Sequence, residues 1–147
     1  QRPIDMLALL ESLVDDQAEL GRDIRLVACA DAVRFVGRPQ ALRRAIGNLV
    51  ENALKYGRRA TLALDDDGKL LRIVVEDEGP GIPEAELERV FEPFHRVDSS
   101  RNRETGGVGL GLAIVRQIAL DHGGEVTLAN RAGGGLRAEL RLPRRAA

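Results

Sequence analysis

The stretch from Asp77 to Gly111 constrains this chain more than any other, because nine glycines or prolines are scattered there among polar residues. It is too long for a plain connector, and long loops in compact domains serve as lids or binding loops. Only a short apolar helix around Leu87, Val90 and Phe91 interrupts it. The segments on either side must supply the frame that carries it.

Those segments are strongly patterned. From Asp5 to Leu20, the residues Met6, Leu9, Leu10, Leu13, Val14 and Ala18 fall at helical spacing, and Gly21 follows as a stop. Ile24 to Ala28 and Val33 to Val36 read as short strands. Pro39 opens a central helix that reaches Tyr56 before Gly57 ends it, since the missing proline N–H costs nothing in a first turn. Thr61 to Leu64 and Leu70 to Glu76 form a hairpin about Asp65-Asp66-Asp67-Gly68. A third helix runs from about Leu112 to Asp121, with Gly123-Gly124 as its stop. Glu125 to Leu128 and Leu136 to Leu142 close the chain as a second hairpin. This order predicts an α+β fold with a mixed sheet and its helices gathered on one face, in one domain covering 1–147.

Composition narrows the function classes. The balance of 22 Lys+Arg against 23 Asp+Glu, with 44% hydrophobic residues, is that of a soluble globular protein and argues against a nucleic-acid binder, which shows a basic excess. A single cysteine, Cys29, excludes an intrachain disulfide framework and is read as core packing. No apolar run approaches the length of a membrane span. The start, Gln1 to Asp5, has neither a secretory pattern nor an initiator Met, so a fragment of a longer protein is expected.

Three elements carry chemistry. On the central helix, Leu42, Ile46, Leu49, Val50 and Ala53 share one side, and Asn48, Asn52 and Lys55 form a narrow stripe on the other. Two asparagines in mid-helix are poor helix formers; they are either a solvated face or a site where a carboxamide oxygen ligates Mg²⁺ beside phosphates. At a strand end, Asp77-Glu78-Gly79-Pro80-Gly81 is either a turn or a place where a carboxylate accepts the exocyclic amine of adenine and rejects the carbonyl of guanine. Gly106-Gly107-Val108-Gly109-Leu110-Gly111-Leu112 is a glycine-rich loop leading into a helix, a start suited to phosphate. It lacks the Gly-Lys-Ser/Thr of the Walker loop and the dinucleotide spacing.

Together, in this order, these elements resemble the catalytic and ATP-binding domain of bacterial sensor histidine kinases, within the wider group of gyrase, Hsp90 and MutL. Asn48-Leu-Val-Glu-Asn52-Ala-Leu-Lys55-Tyr56-Gly57 is similar to the family's N box, Asp77 to Ile82 to its first glycine box, Phe91-Glu-Pro-Phe94 to its F box and Gly107 to Leu112 to its second glycine box. The segment from Phe94 to Gly111 is similar to the branch of osmolarity and envelope-stress sensors.

The resemblance implies a two-layer α/β sandwich, the Bergerat fold, with about three main helices on one face of a mostly antiparallel sheet and a long ATP lid. It implies Asn52 as the Mg²⁺ ligand, Asn48 at the phosphate end, Lys55 on a phosphate, Tyr56 against the adenine and Asp77 on its amine. Gly79 and Gly81 would leave room for the base and Ile82 and Leu112 would wall it. Gly107, Val108, Gly109, Leu110 and Gly111 would lie around the phosphates, with Arg96 near the terminal one or simply solvated. Val108 replaces a frequent Thr or Ser, and Arg38 a frequent Asp before Pro39.

Gyrase-like members carry a Glu where this chain has Asn48. An amide is no base, so slow hydrolysis and transfer to another nucleophile are expected. Glu51, on the flank of the stripe, either assists a proton transfer or is a surface residue. The implied acceptor is a histidine on a separate dimerisation domain. Neither His95, read as part of the lid, nor His122, read as a helix-end residue on the dipole, has the family's acceptor setting. A homodimeric parent in the bacterial inner membrane, a cytoplasmic place for this domain and a response regulator downstream complete what the resemblance implies. The alternatives are a silent nucleotide- or partner-binding pseudo-kinase module and a stand-alone ATPase.

Overall fold

The computed structural model describes residues 2–29, 33–92 and 111–144. Strand β1 (Arg2–Asp5) leads into α1 (Met6–Glu19), followed by β2 (Asp23–Cys29), β3 (Arg34–Gly37), α2 (Pro39–Gly57), β4 (Arg59–Asp66) and β5 (Leu70–Asp77). Two 3-10 turns, Glu84–Glu86 and Arg89–Phe91, precede α3 (Gly111–Asp121), β6 (Glu125–Asn130) and β7 (Leu136–Pro143).

The main sheet has the order β2-β4-β5-β7-β6. Only β2 and β4, joined through α2, run parallel; the other pairs are antiparallel. Alternation places Ala60, Leu62 and Leu64 of β4, Leu71, Ile73 and Val75 of β5, and Ala138, Leu140 and Leu142 of β7 on the inner face. Met6, Leu10, Leu42, Ile46, Leu49, Val50 and Val115 of the helices close over it. Fully burying a side chain of this size stabilises by about 1.5–3 kcal/mol, so the sandwich of helices on one sheet face is the dominant contribution. The expected α+β sandwich is therefore the observed one.

The opposite face is a charge lattice. Glu139, 7% exposed, accepts from Arg137 at 2.9 Å and from Arg141, which also reaches Glu125 at 3.1 Å. At the sheet's lower corner Arg144 forks onto Asp66 at 2.9 and 2.6 Å and donates to the Arg34 carbonyl at 2.7 Å. One guanidinium thus ties the end of β7 to the β4–β5 turn and to β3.

Three local expectations need correction. The first helix does not begin at Asp5: residues 2–5 form β1, and Asp5 is the cap, its Oδ1 accepting from Ala8 N–H at 3.1 Å. β1 has no legible pattern because it is four residues long and carries Pro3. It pairs with β3, Ile4 opposite Phe35, so β3 leaves the main sheet for a two-stranded one. The apolar helix expected near Leu87 is instead the two 3-10 turns.

His122 is buried at 4% exposure, with Nδ1 2.8 Å from the Ile118 carbonyl and Nε2 3.1 Å from the Arg38 N–H. A carbonyl only accepts and an N–H only donates, which fixes the neutral Nδ1–H tautomer. The residue therefore bridges the end of α3, where its Nδ1–H meets a last-turn carbonyl, to the start of α2, where Arg38 offers no side-chain cap. Gly37 beneath it leaves room for the ring, since a Cβ there would stand 3.1 Å from His122 Cδ2.

Candidate functional site

The inner face of α2 is filled by Leu42, Ala45, Ile46, Leu49, Val50 and Ala53, so its polar stripe turns away from the sheet. Asn48 and Asn52 are part-exposed and Lys55 is exposed. The Asn48 Nδ2 donates to the Gly111 carbonyl at 3.3 Å, which brings the polar stripe against the first residue of α3. The Asn52 carboxamide makes no hydrogen bond to any described residue. Tyr56 lies in the last turn of α2; its side chain is outside the described residues.

Glu51 is held elsewhere. Its Oε1 accepts from Arg22 at 2.7 Å and from Gln17 at 2.9 Å, and the Arg22 hydrogen bond lowers its pKa against the opposing effect of burial. A carboxylate held below its usual range by two donors is a weak proton acceptor. The geometry therefore favours the surface reading of Glu51, as a clip between α1 and α2, over proton transfer. Next to it opens a cleft of ≈ 390 Å³ lined by Arg22, Glu51, Leu54, Lys55 and Arg58, which meets the polar stripe only at Lys55.

Asp77 continues the inward series of Leu71, Ile73 and Val75, so strand alternation alone drives its carboxylate into the layer between sheet and helices. It is 4% exposed. Oδ1 accepts from Gly79 N–H at 2.9 Å and Leu136 N–H at 3.1 Å, while Oδ2 meets no donor among the described residues. Burial pushes its pKa up, and the two N–H groups and the Arg131 charge hold it partly back. Gly57 of α2 packs directly on it: a Cβ there would overlap Asp77 Cβ. The α2 terminus and the end of β5 thus meet around one carboxylate whose second oxygen has no donor among the described residues.

The loop after β5 is braced by the β6–β7 turn. Ile82 N–H donates to Asn130 Oδ1 at 2.8 Å, and Asn130 Nδ2 donates back to the Ile82 carbonyl at 2.6 Å. Arg131 donates to the Asp77 carbonyl at 2.7 Å and lies 3.4 Å from Glu76. Gly135, at φ +107°, lets the turn pass over Asp77, whose carbonyl a Cβ would overlap. Asn130, Arg131 and Gly135 were not singled out from the sequence, where the segment reads as a turn. Three consecutive glycines, more than a hairpin turn requires, were the available signal.

Gly79, Gly81 and Ile82 are thus gathered beside Asp77, and Gly111 and part-buried Leu112 beside Asn48. Arg96, Gly107, Val108, Gly109 and Leu110 lie outside the described residues, as do Phe94 and His95. Of the F box, Phe91 is described: it is buried in the core, with the Arg116 guanidinium 5.3 Å from its ring centroid. Among the described residues no cluster of three or more His, Cys, Asp or Glu could hold a metal ion.

A layer of helices on a five-stranded sheet, with a polar helix stripe against the first residue of α3 and a buried strand-end aspartate, defines a nucleotide-binding class of domain. The family of histidine kinase-, DNA gyrase B- and HSP90-like ATPases matches residues 37–146, and the chain belongs to it. ATP is accordingly the nucleotide of this domain. Its relatives include the sensor histidine kinase GtrS of Pseudomonas aeruginosa, 49% identical over 96% of this chain and 28% of that protein. Another is the sensor histidine kinase CpxA of Escherichia coli, 36% identical over 92% of this chain and 30% of that one. The chain therefore spans less than a third of the length of these relatives. Among solved structures, the mycobacterial sensor histidine kinase MprB superposes with a TM-score of 0.83 at 30% identity over 99% of both chains. The ATP-binding domain of PrrB from Mycobacterium tuberculosis gives 0.80 at 34% identity, covering 98% of this chain and 97% of that one.

Proposed function

We propose that this chain is one domain, the catalytic half of a sensor histidine kinase, which binds Mg-ATP and donates the γ-phosphate to a histidine on a separate dimerisation domain. The observation that carries the reading is Asp77, a buried carboxylate with one oxygen committed to two backbone donors and the other, without a donor among the described residues, open to a base amine. Keeping a carboxylate in such a place costs stability, which a ligand that uses it explains.

Asn48, Asn52 and Lys55 supply the phosphate side. Mg²⁺ needs few protein ligands when phosphates and water provide the rest, and the Asn52 carboxamide, which makes no hydrogen bond among the described residues, fits one such position. Bound there, the ion would offset charge on the phosphates. Lys55 and the N–H groups at the start of α3 do the same from the protein. Tyr56, Gly79, Gly81, Ile82 and Leu112 form the base side, and Gly107, Val108, Gly109, Leu110, Gly111 and Arg96 belong to the lid around the phosphates.

Transfer requires position and charge compensation more than covalent participation. A histidine ring nitrogen forms the new P–N bond as the P–O bond to ADP breaks. Asn48 cannot take a proton from water, so hydrolysis does not compete strongly. In this reading the parent is a homodimeric membrane sensor with a cytoplasmic catalytic part, and a response regulator receives the phosphate from the histidine.

The experiment is a transfer assay. Labelled ATP, Mg²⁺ and this chain are mixed with a separately supplied dimerisation domain of the parent. Acid-labile, base-stable label on that domain supports the reading. ATP binding without any transfer would instead make the chain a silent nucleotide-binding module.

A further inference from the structure

We infer that Asn130 is a positioning residue for the base side of the nucleotide site, acting as a two-way clamp on the backbone of Ile82. The inference rests on the ATP-binding reading above and deepens it.

A carboxamide that both accepts from and donates to one residue's backbone reproduces the pairing of a neighbouring strand. Asn130 does this to Ile82, at 2.8 and 2.6 Å, from the last position of β6. The segment it grips has left the sheet: β5 ends at Asp77, and the loop then passes through Gly79, Pro80 and Gly81 at φ +77°. Such a loop has wide conformational freedom, and fixing each of its backbone positions costs conformational entropy. The clamp fixes it before any ligand arrives. Gly81 is required for the approach, because a Cβ there would overlap Asn130 Oδ1.

The neighbouring residue completes the brace. Arg131 donates to the Asp77 carbonyl at 2.7 Å, and the Leu136 N–H reaches Asp77 Oδ1 at 3.1 Å. The β6–β7 turn therefore holds both ends of the loop, the aspartate at its start and Ile82 at its close. Asn130 is exposed and contributes nothing to the core. Its bonds fix where Ile82 and the intervening glycines stand relative to Asp77, which is the relation a planar base would read. Affinity gained by ordering a loop in advance is affinity not spent on ordering it at binding.

The test compares the wild-type chain with Asn130→Ala and Asn130→Asp by calorimetry with ATP and ADP, and by amide exchange at Ile82. Asn130→Asp keeps the oxygen that accepts from the Ile82 N–H and loses the donor to its carbonyl. We expect Asn130→Ala to unprotect the Ile82 amide in the free protein and to weaken ATP and ADP alike by about 5–30-fold, as for the loss of one to two net hydrogen bonds. The ATP-to-ADP affinity ratio should stay unchanged, because the phosphate side is untouched. Asn130→Asp should recover part of the affinity and of the protection. Wild-type ATP affinity together with wild-type Ile82 protection in Asn130→Ala overturns the clamp and leaves the ATP-binding reading intact. A changed ATP-to-ADP ratio also overturns it, by moving the effect to the phosphates. Absence of ATP binding by the wild-type chain itself overturns the underlying reading, and the clamp's role with it.

Discussion

Replacing Asp77 with Asn separates what the fold needs at this position from what the nucleotide needs. Both hydrogen bonds that the described residues make to the carboxylate use Oδ1, from Gly79 at 2.9 Å and Leu136 at 3.1 Å. An amide oxygen still accepts both, without the charge assistance but also without the cost of a buried charge, and the side chain keeps its shape in a site only 4% exposed. The fold should even gain. Burial raises the Asp77 pKa, so the folded protein binds this proton more tightly than the unfolded chain. The charged form is therefore a cost at neutral pH, and the cost disappears as pH falls through the folded pKa towards the unfolded one. At pH 7 Asp77→Asn should melt at or above the wild-type temperature, with the difference shrinking in acid.

The nucleotide sees the opposite. Oδ2, free to accept a base amine, becomes an NH₂ group pointing at another donor. A hydrogen bond to a charged group is worth about 1.5–3 kcal/mol, so ATP affinity should fall at least about 10–100-fold, measured by calorimetry with Mg²⁺ present. A variant that binds ATP like the wild type would refute the assignment of Asp77 to the base. A variant that unfolds would refute the hydrogen-bond accounting.

Other perturbations probe other parts of the account. Asn52→Ala should weaken ATP binding in Mg²⁺ by about tenfold while leaving metal-free binding nearly unchanged, a contrast that calorimetry with and without EDTA measures. Gly57→Ala drives a methyl group into Asp77 and should lower both melting temperature and ATP affinity, unlike Asp77→Asn. Glu51→Gln should leave phosphotransfer within about twofold of wild type, because its carboxylate is tied to Arg22 and Gln17; a hundredfold loss would restore it as a proton acceptor. The Arg144 hydrogen bonds lower the Asp66 pKa, so this pair stabilises above the unfolded carboxylate pKa and the contribution is lost as pH falls through the folded one. Asp66→Asn should cost about 1–2 kcal/mol at pH 7 in denaturant titrations and less in acid.

The long helix α2 and the β4–β5 and β6–β7 hairpins are legible in the sequence, because period 3.6 and period 2 patterns extend over many residues there. β1 is not legible, since its pairing partner lies about 30 residues further along the chain, Ile4 opposite Phe35, and its own four residues carry no alternation. Asn48, Asn52 and Asp77 stand out by residue type: amides in mid-helix, and a carboxylate at the inner end of an apolar strand. Asn130 and Arg131 do not, because their value lies in reaching Ile82 and Asp77 across the sheet, 48 and 54 residues distant. His122 is half legible: its place at a helix end can be read, but its bond to Arg38 requires the packing of α3 beside the start of α2.

The most direct measurement is a calorimetric titration of this chain with ATP and with GTP in Mg²⁺. The account predicts one ATP bound per chain and GTP weaker by about 100-fold or more, because the guanine carbonyl would face the free Asp77 oxygen. Equal affinities, or no ATP bound at all, would contradict it.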